Sequence, residues 1–158
     1  MINFDLIQAG IYVGSCPSVD QDIAHLKQLK VSSVICLQSD EDLAVREINW
    51  SDLESKYRDN DIQVYRFPIL DFDENDLANK VAEPIIKLSQ LLKNREKVYV
   101  HCNSGVCRAP AVVLGYLCHE EGMSIESALS QIRISRPIAS PFKSAVKKAL
   151  LILEEQKK

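Results

Sequence analysis

The sequence predicts a single α/β domain over residues 1–158, with a mostly parallel sheet of about five strands flanked by helices. Two patterns predict this class: short segments rich in β-branched residues alternate with segments that have apolar residues at helical spacing, and the last third of the chain contains only helical segments. The composition, 46% hydrophobic and 26% charged, is that of an ordinary domain with a sizeable core.

Four strands can be located from the pattern, at residues 11–13, 33–37, 62–67 and 98–100. Helices are expected at about residues 20–30, 50–57, 77–93, 110–121, 124–135 and 141–155. Ser124 is expected to cap the helix that follows it, and Asp76 to cap the helix that starts at Leu77. Residues 38–42 are expected to form a polar loop.

The most informative segment is VYVHCNSGVCRAPAVVL, residues 98–114, which places a thiol and a guanidinium at opposite ends of one loop. The apolar run before Cys102 predicts a buried strand, and Pro110 suits the first turn of a helix that Gly122 would end. Gly105 lets the backbone turn tightly, so that successive N–H groups can point inwards as an anion-binding nest beside the helix N-terminus. The loop is therefore predicted to bind phosphate.

The two ends of this loop predict nucleophilic chemistry. A cysteine beside a helix N-terminus and a cation favours the thiolate, so Cys102 is the candidate nucleophile. Arg108 can hold two phosphate oxygens with its planar fork. A phosphocysteine would form and water would hydrolyse it, with no metal or organic cofactor required. The loop amides would bind the phosphate oxygens; they belong to Asn103, Ser104, Gly105, Val106 and Cys107.

Two further roles remain open from the residues alone. His101 could hydrogen-bond to the loop and fix its shape, or be an ordinary strand histidine; it is given no role in proton transfer. The leaving oxygen needs a proton, and the best source is the loop of residues 67–77. Both Asp71 and Asp73 lie there, and the residues alone do not choose between them.

The segment HCNSGVCRAP, residues 101–110, resembles the phosphate-binding loop of the cysteine-dependent dual-specificity phosphatases. Within this family the chain is most similar to the branch of plant starch-glucan phosphatases and laforin. The resemblance covers roughly residues 5–153, and other segments that carry it are IYVGSC (11–16), ICLQSDEDL (35–43), DFDENDL (71–77) and CRAPAVVLGYL (107–117). It implies a fold like that of the protein tyrosine phosphatases.

By matching position, the resemblance implies that Cys102 is the nucleophile and Arg108 the phosphate clamp. It selects Asp71 over Asp73 as the general acid. Phe72 matches an aromatic residue that lies against sugar rings in the glucan branch; the alternative is a phenylalanine tucked into the core. The implied substrate is phosphoprotein, at Tyr, Ser or Thr, or phosphorylated glucan.

Two residues depart from the wider family. Ala109 stands where most members have a Ser or Thr whose hydroxyl assists the departing thiolate; the glucan branch tolerates Ala here, although it could slow hydrolysis of the intermediate. Cys107 either packs as a small side chain behind the loop or pairs with Cys102 on oxidation. Two other functions are considered: a catalytically weak phosphate-binding module, and a rhodanese-like sulfurtransferase, which would use a shorter loop and no acid.

Composition excludes several classes of partner. With 19 basic and 22 acidic residues, the chain has no bulk attraction to nucleic acid. No membrane partner is expected, since the longest apolar run, residues 109–118, is too short to span a bilayer. The five cysteines show no paired metal spacing, and the N-terminus lacks the features of a secretory or transit sequence. We expect a reducing cytoplasm. The oligomeric state is not predicted.

Overall fold

A five-stranded sheet in the order β1-β2-β5-β3-β4 forms the centre of the structure, a computed structural model that describes residues 1–157. The strands are β1 (Phe4–Gln8), β2 (Ile11–Gly14), β3 (Ser33–Cys36), β4 (Gln63–Arg66) and β5 (Val98–His101). Strand β1 is antiparallel to β2, and the other three pairings are parallel. The predicted α/β class with a mostly parallel sheet is confirmed.

Eight helices surround this sheet within the described residues: α1 (Asp20–Gln28), α2 (Asp40–Val45), α3 (Trp50–Asp59), α4 (Glu74–Lys80), α5 (Ala82–Lys93), α6 (Arg108–Glu121), α7 (Ile125–Ser135) and α8 (Lys143–Gln156). Between residues 1 and 157, every helix is too short or too polar to cross a membrane.

The sheet separates two hydrophobic cores. Alternate residues of β5 face opposite sides, so that Val98 and Val100 join the larger core while Tyr99 joins the smaller one. Helices α1 and α3 cover the smaller core, and α4 to α8 pack over the larger one. Because both faces are covered, all four residues of β5 are buried, which explains the continuous apolar run that predicted this strand.

The four parallel strands bring the loops that follow them to one edge of the sheet. In the register of the sheet, Gly14 of β2 and Cys36 of β3 both lie beside His101 at the end of β5. Strand β4 ends at the same level, with Arg66 beside Cys36. The loops that follow these strands therefore meet at the carboxyl edge, where ligands bind in sheets of this kind.

One predicted loop is a helix. Residues 38–42 were expected to be a polar loop, but α2 begins at Asp40. Ser39 caps it by accepting a hydrogen bond from Asp42 N at 3.2 Å, and the Asp42 carboxylate accepts from Ser39 N at 2.9 Å in return. This capping box stabilises a helix of only six residues, too short to show a helical pattern of apolar residues.

The predicted helix 77–93 is also wrong in its start and in its continuity. Asp73, not Asp76, is the N-cap, since its side chain accepts from Asp76 N at 2.9 Å. The helix is then divided into α4 and α5 at Val81. Pro84 explains the division, because it has no N–H to donate to Lys80 O and its ring would collide with that carbonyl.

Candidate active site

The loop between β5 and α6 turns its carbonyl groups away from the space that it encloses. Four consecutive carbonyls each accept a hydrogen bond from outside the loop: Asn103 O from Cys16 N at 3.0 Å, Ser104 O and Gly105 O from Arg136 at 2.9 and 2.8 Å, and Val106 O from Ser140 N at 2.7 Å. Within residues 1–157, no N–H group of residues 103–107 donates to a protein acceptor. The loop thus offers a row of unpaired amides, which is an anion-binding nest.

Gly105 is required at this position for two reasons. Its φ angle is +71°, in the left-handed region that disfavours side chains. A Cβ atom there would also lie 2.6 Å from the backbone C and O of Gly14 and 2.9 Å from Arg136 Nη2. The added Cβ would meet backbone atoms of Gly14, so no side-chain rotation can relieve the clash.

Arg136 is the outer support of the loop. It is completely buried, and all three guanidinium nitrogens are hydrogen-bonded: Nε to Gly105 O, Nη2 to Ser104 O, and Nη1 to Asp5 Oδ2 at 2.8 Å. The sequence pattern does not indicate this role for Arg136. Its partners in the loop lie more than 30 residues away along the chain, and Asp5 lies more than 130 residues away.

Cys102 begins the loop and His101 fixes its backbone. The Cys102 residue is 3% exposed. Burial lowers the pKa of His101 from 6.5 to about 4, and the Arg108 charge acts in the same direction. The imidazole is therefore neutral at pH 7, and its Nδ1–H donates to Cys102 O at 3.0 Å. Of the two alternatives for His101, the structure shows the contact with the loop.

Arg108 lies at the other end of the loop, at the start of α6, and is 2% exposed. Its Nη1 is held by three oxygens: Asp42 Oδ2 at 2.6 Å, Ile69 O at 2.8 Å and Leu37 O at 3.4 Å. Nε and Nη2 are buried and, among the described residues, have no hydrogen-bond partner. Buried donors of a cation are costly to leave unpaired, so this edge of the fork is the one available to an anion.

Asp71 approaches that open edge, and Asp73 does not. Asp71 Oδ2 lies 3.3 Å from Arg108 Nη2 and accepts from Asn103 Nδ2 at 3.3 Å, while Oδ1 accepts from Phe72 N at 3.1 Å. Asp73 is occupied as the cap of α4. Of the two carboxylates, Asp71 is the one placed beside the loop.

Phe72 is not part of the core. Its side chain is 90% exposed, and its φ angle of +58° is in the left-handed region, where bulky residues are uncommon. The alternative of a phenylalanine tucked into the core is therefore wrong. An exposed aromatic ring stands directly beside Asp71.

Asp42 completes the site and was missed from the sequence. Burial would raise the pKa of its carboxyl, but hydrogen bonds from Arg108, Ser39 and Asn103 outweigh burial and hold the pKa below its ordinary 3.8. Asp42 is therefore a carboxylate at pH 7 that neutralises Arg108 from behind. The sequence signal for Asp42 is the Ser39-x-x-Asp42 capping box within residues 38–42.

Cys107 is half-buried behind the loop and packs against the larger core, where burial raises the pKa of its thiol. This placement supports the packing interpretation over a redox partner. Ala109 is fully buried in the first turn of α6 and brings no hydroxyl to the loop. All five cysteines are free thiols in the structure.

The model of one protein family, described as dual specificity phosphatase, catalytic domain, matches residues 11–156. The chain belongs to the dual specificity phosphatases. Among curated relatives of this phosphatase domain, the amyloplastic phosphoglucan phosphatase DSP4 of Castanea sativa is 31% identical over 150 residues, covering 94% of this chain and 40% of the relative. The chloroplastic phosphoglucan phosphatase LSF1 of Arabidopsis thaliana is 26% identical, covering 82% and 22%. Laforin of Mus musculus is 25% identical, covering 86% and 44%.

The resemblance to the glucan branch is thereby confirmed, although this phosphatase chain spans less than half the length of these three relatives. Solved structures confirm the protein tyrosine phosphatase-like fold. The structure of PTPMT1 gives a TM-score of 0.77 at 20% identity, covering 96% of this chain and 94% of that one. The active form of Tk-PTP gives 0.74 at 22% identity, covering 97% of both chains. The family match supports a cysteine-dependent phosphatase over a rhodanese-like sulfurtransferase.

The buried neutral His101 predicts a pH dependence of the protein's stability. In the unfolded chain an imidazole protonates near 6.5, but in the folded protein it does so only near 4. The unfolded state therefore binds more protons between these values, and the free energy of unfolding falls as the pH is lowered from 6.5 to 4. Chemical denaturation across this range should show a smaller fall for His101→Asn, which keeps a donor but cannot titrate. Equal pH slopes would contradict this account.

The crowding at Gly105 predicts that Gly105→Ala removes anion binding by the loop of residues 103–107. In the variant, the left-handed φ alone costs about 1–3 kcal/mol of backbone strain. The clash of the added Cβ with Gly14 adds to this cost. We expect tungstate to raise the melting temperature of the wild-type protein and to leave that of Gly105→Ala unchanged. Gly122→Ala is the control, since it has a similar φ of +70° but nothing within 4 Å of the added Cβ. A similar tungstate shift in all three proteins would contradict the prediction.

Proposed function

We propose that this domain hydrolyses phosphate monoesters, with Cys102 as the nucleophile, Arg108 as the phosphate clamp and Asp71 as the general acid. One observation carries the proposal: Cys102 and Arg108 lie at the two ends of a loop with outward-facing carbonyls, and within residues 1–157 neither the N–H groups of residues 103–107 nor Nε and Nη2 of Arg108 have a hydrogen-bond partner. A phosphate dianion would satisfy both sets of donors at once.

The reaction has two steps. In the first, the Cys102 thiolate forms a bond to phosphorus while the bond to the ester oxygen breaks, and Asp71 gives its proton to that oxygen. In the second, water attacks the phosphocysteine, its proton passes to Asp71, and inorganic phosphate leaves the regenerated thiolate. The loop amides and Arg108 stabilise the charge on the equatorial oxygens in both transition states.

The other function considered for this site is a catalytically weak phosphate-binding module. Ala109 supports it, because the absence of a hydroxyl beside the thiolate would slow the second step. The presence of Cys102, Arg108 and Asp71 in one site argues for turnover. The two are distinguished kinetically, since a stalled second step gives one burst of alcohol release for each protein molecule and then stops.

The catalytic roles predict a pattern among variants with phenyl phosphate as substrate. Cys102→Ser should abolish turnover, because it removes the nucleophile. Asp71→Asn should lower kcat/KM by about 10²- to 10⁴-fold, because phenolate is a poor leaving group that needs a proton. The rate of phenol release measures the activity of both variants. Continued turnover by Cys102→Ser, or full activity of Asp71→Asn, would overturn the assignment of roles.

We infer that the substrate is a phosphorylated glucan. Phe72 supports this, because its exposed ring stands beside Asp71, where its flat face can pack on the C–H face of a pyranose. The relatives named phosphoglucan phosphatases support it as well. Phosphoprotein is the alternative, and the relatives also include dual specificity protein phosphatase 12 of Homo sapiens, 25% identical over 84% of this chain.

The substrate proposal predicts that phosphate is released faster from solubilised phosphoglucan than from a phosphotyrosyl peptide. Phe72→Ala should lower the glucan rate at least about tenfold while leaving phenyl phosphate nearly unchanged, since removing a contact with remote parts of a substrate affects only substrates that have them. Ile134→Ala is the matched control, because Ile134 is also an exposed large apolar residue but belongs to α7. A wide preference for the peptide would end the glucan proposal.

The cellular location stays a prediction. Five free thiols favour a reducing compartment such as the cytoplasm. Two of the relatives are named amyloplastic and chloroplastic, so fractionation of the protein's source cells decides the point.

A further inference from the structure

The Asn103 side chain uses its hydrogen-bonding groups on other protein side chains. Its Nδ2 donates to Asp42 Oδ1 at 2.8 Å and to Asp71 Oδ2 at 3.3 Å. Its Oδ1 accepts from Gln38 Nε2 at 2.9 Å. The loop amide of Asn103 belongs to the phosphate cradle, but its side chain therefore joins three other elements of the site.

The orientation of the Asn103 amide is fixed by its neighbours. Two carboxylates need a donor, so the NH₂ group must face Asp42 and Asp71. Gln38 is fully buried, and its Oε1 lies 3.7 Å from Cys36 Sγ, a weak donor, so its NH₂ group faces Asn103 Oδ1. A reversed amide would place its oxygen against the two carboxylates and its NH₂ group against the NH₂ group of Gln38.

One of the two carboxylates is more deeply buried than the other. Asp42 is fixed by Ser39 N at 2.9 Å and by Arg108 Nη1 at 2.6 Å. Asp71 lies on a loop, its side chain is 26% exposed, and its polar contacts within residues 1–157 are with Asn103 Nδ2, Phe72 N and Arg108 Nη2. Asn103 thus ties the exposed carboxylate to the buried Asp42–Arg108 pair.

Binding of phosphate makes this tie more important. A phosphate ester would engage Arg108 Nη2, the nitrogen that otherwise faces Asp71. Asn103 then remains as the link between Asp71 and the floor of the site. As a neutral donor, it can bond to one oxygen of Asp71 whether the other oxygen carries a proton or not, whereas a cation would favour only the ionised form.

We propose that Asn103 is a positioning residue for the general acid. It links Asp71 to the Asp42–Arg108 pair and so fixes the position of the proton donor relative to the phosphate clamp. This inference rests on the proposed function. It predicts that Asn103 matters only when the leaving group needs a proton. Asp42, which supports the clamp, should matter for every phosphate ester.

The test compares kcat/KM for phenyl phosphate, a poor leaving group, with that for 2,4-dinitrophenyl phosphate, a good one. The ratio kcat/KM reports formation of the phosphocysteine, so a slow second step does not hide the effect. For Asn103→Ala we expect a loss of about 10- to 100-fold with phenyl phosphate and less than about threefold with the dinitrophenyl ester. Asp42→Asn is the comparison, and it should lower both values by a similar factor.

Inhibition by inorganic phosphate separates positioning from a merely structural role. Asn103→Ala should keep the wild-type inhibition constant, because the cradle and clamp are intact, whereas Asp42→Asn should raise it. In an Asp71→Asn background, Asn103→Ala should cause no further loss with phenyl phosphate, since both act through the same proton. Asn103→Ser, too short to reach Asp71, repeats the test if the alanine variant does not fold.

The failures of the two proposals look different. If wild-type protein hydrolyses neither ester in a Cys102-dependent manner, the proposed function fails. If wild-type protein hydrolyses both and Asp71→Asn shows the leaving-group dependence, but the Asn103 variants lower both rates equally or weaken phosphate inhibition, only the role of Asn103 is overturned.

Discussion

The site depends on one constraint, which is that the carbonyls of residues 103–106 point outwards. Three separate parts of the chain impose it: the amide of Cys16 after β2, the Arg136 guanidinium at the end of α7, and the amide of Ser140 before α8. A backbone whose carbonyls are held on one side must present its N–H groups on the other, so the anion nest is formed by the fold before any ligand binds. Gly105 makes the turn possible.

The two buried arginines show how similar groups serve opposite purposes. Burying a guanidinium is costly unless it is paired, and each has an acidic partner, Asp5 for Arg136 and Asp42 for Arg108. Every nitrogen of Arg136 is satisfied by the protein, which suits a fixed support. Arg108 has two nitrogens, Nε and Nη2, that make no hydrogen bond within residues 1–157, although Nη2 faces Asp71 at 3.3 Å, and this favours a ligand that supplies the missing acceptors.

The parts of the site that the sequence could predict are local. The strand, the glycine turn and the helix start of residues 98–110 follow one another along the chain, so their pattern indicates the phosphate loop directly. Asp42 and Arg136 could not be found in this way, because each acts on a loop far away in sequence and their meeting depends on the register of β2, β3 and β5. The exchange of Asp76 for Asp73 has a local cause, since Asp76 accepts instead from Leu70 N at 2.7 Å and pairs with Lys80.

Phe72 is hard to explain by stability. A phenylalanine with φ of +58° carries backbone strain of about 1–3 kcal/mol that a glycine would avoid, and a ring that is 90% exposed returns little hydrophobic free energy. Strain of this kind persists where the surroundings hold it, and here the neighbouring segments do so: Ile69 O accepts from the buried Arg108, and Asp73 begins α4. The fold thus holds an aromatic ring in solvent, next to Asp71 in the sequence, at a cost in stability, which agrees with the substrate contact proposed above for Phe72.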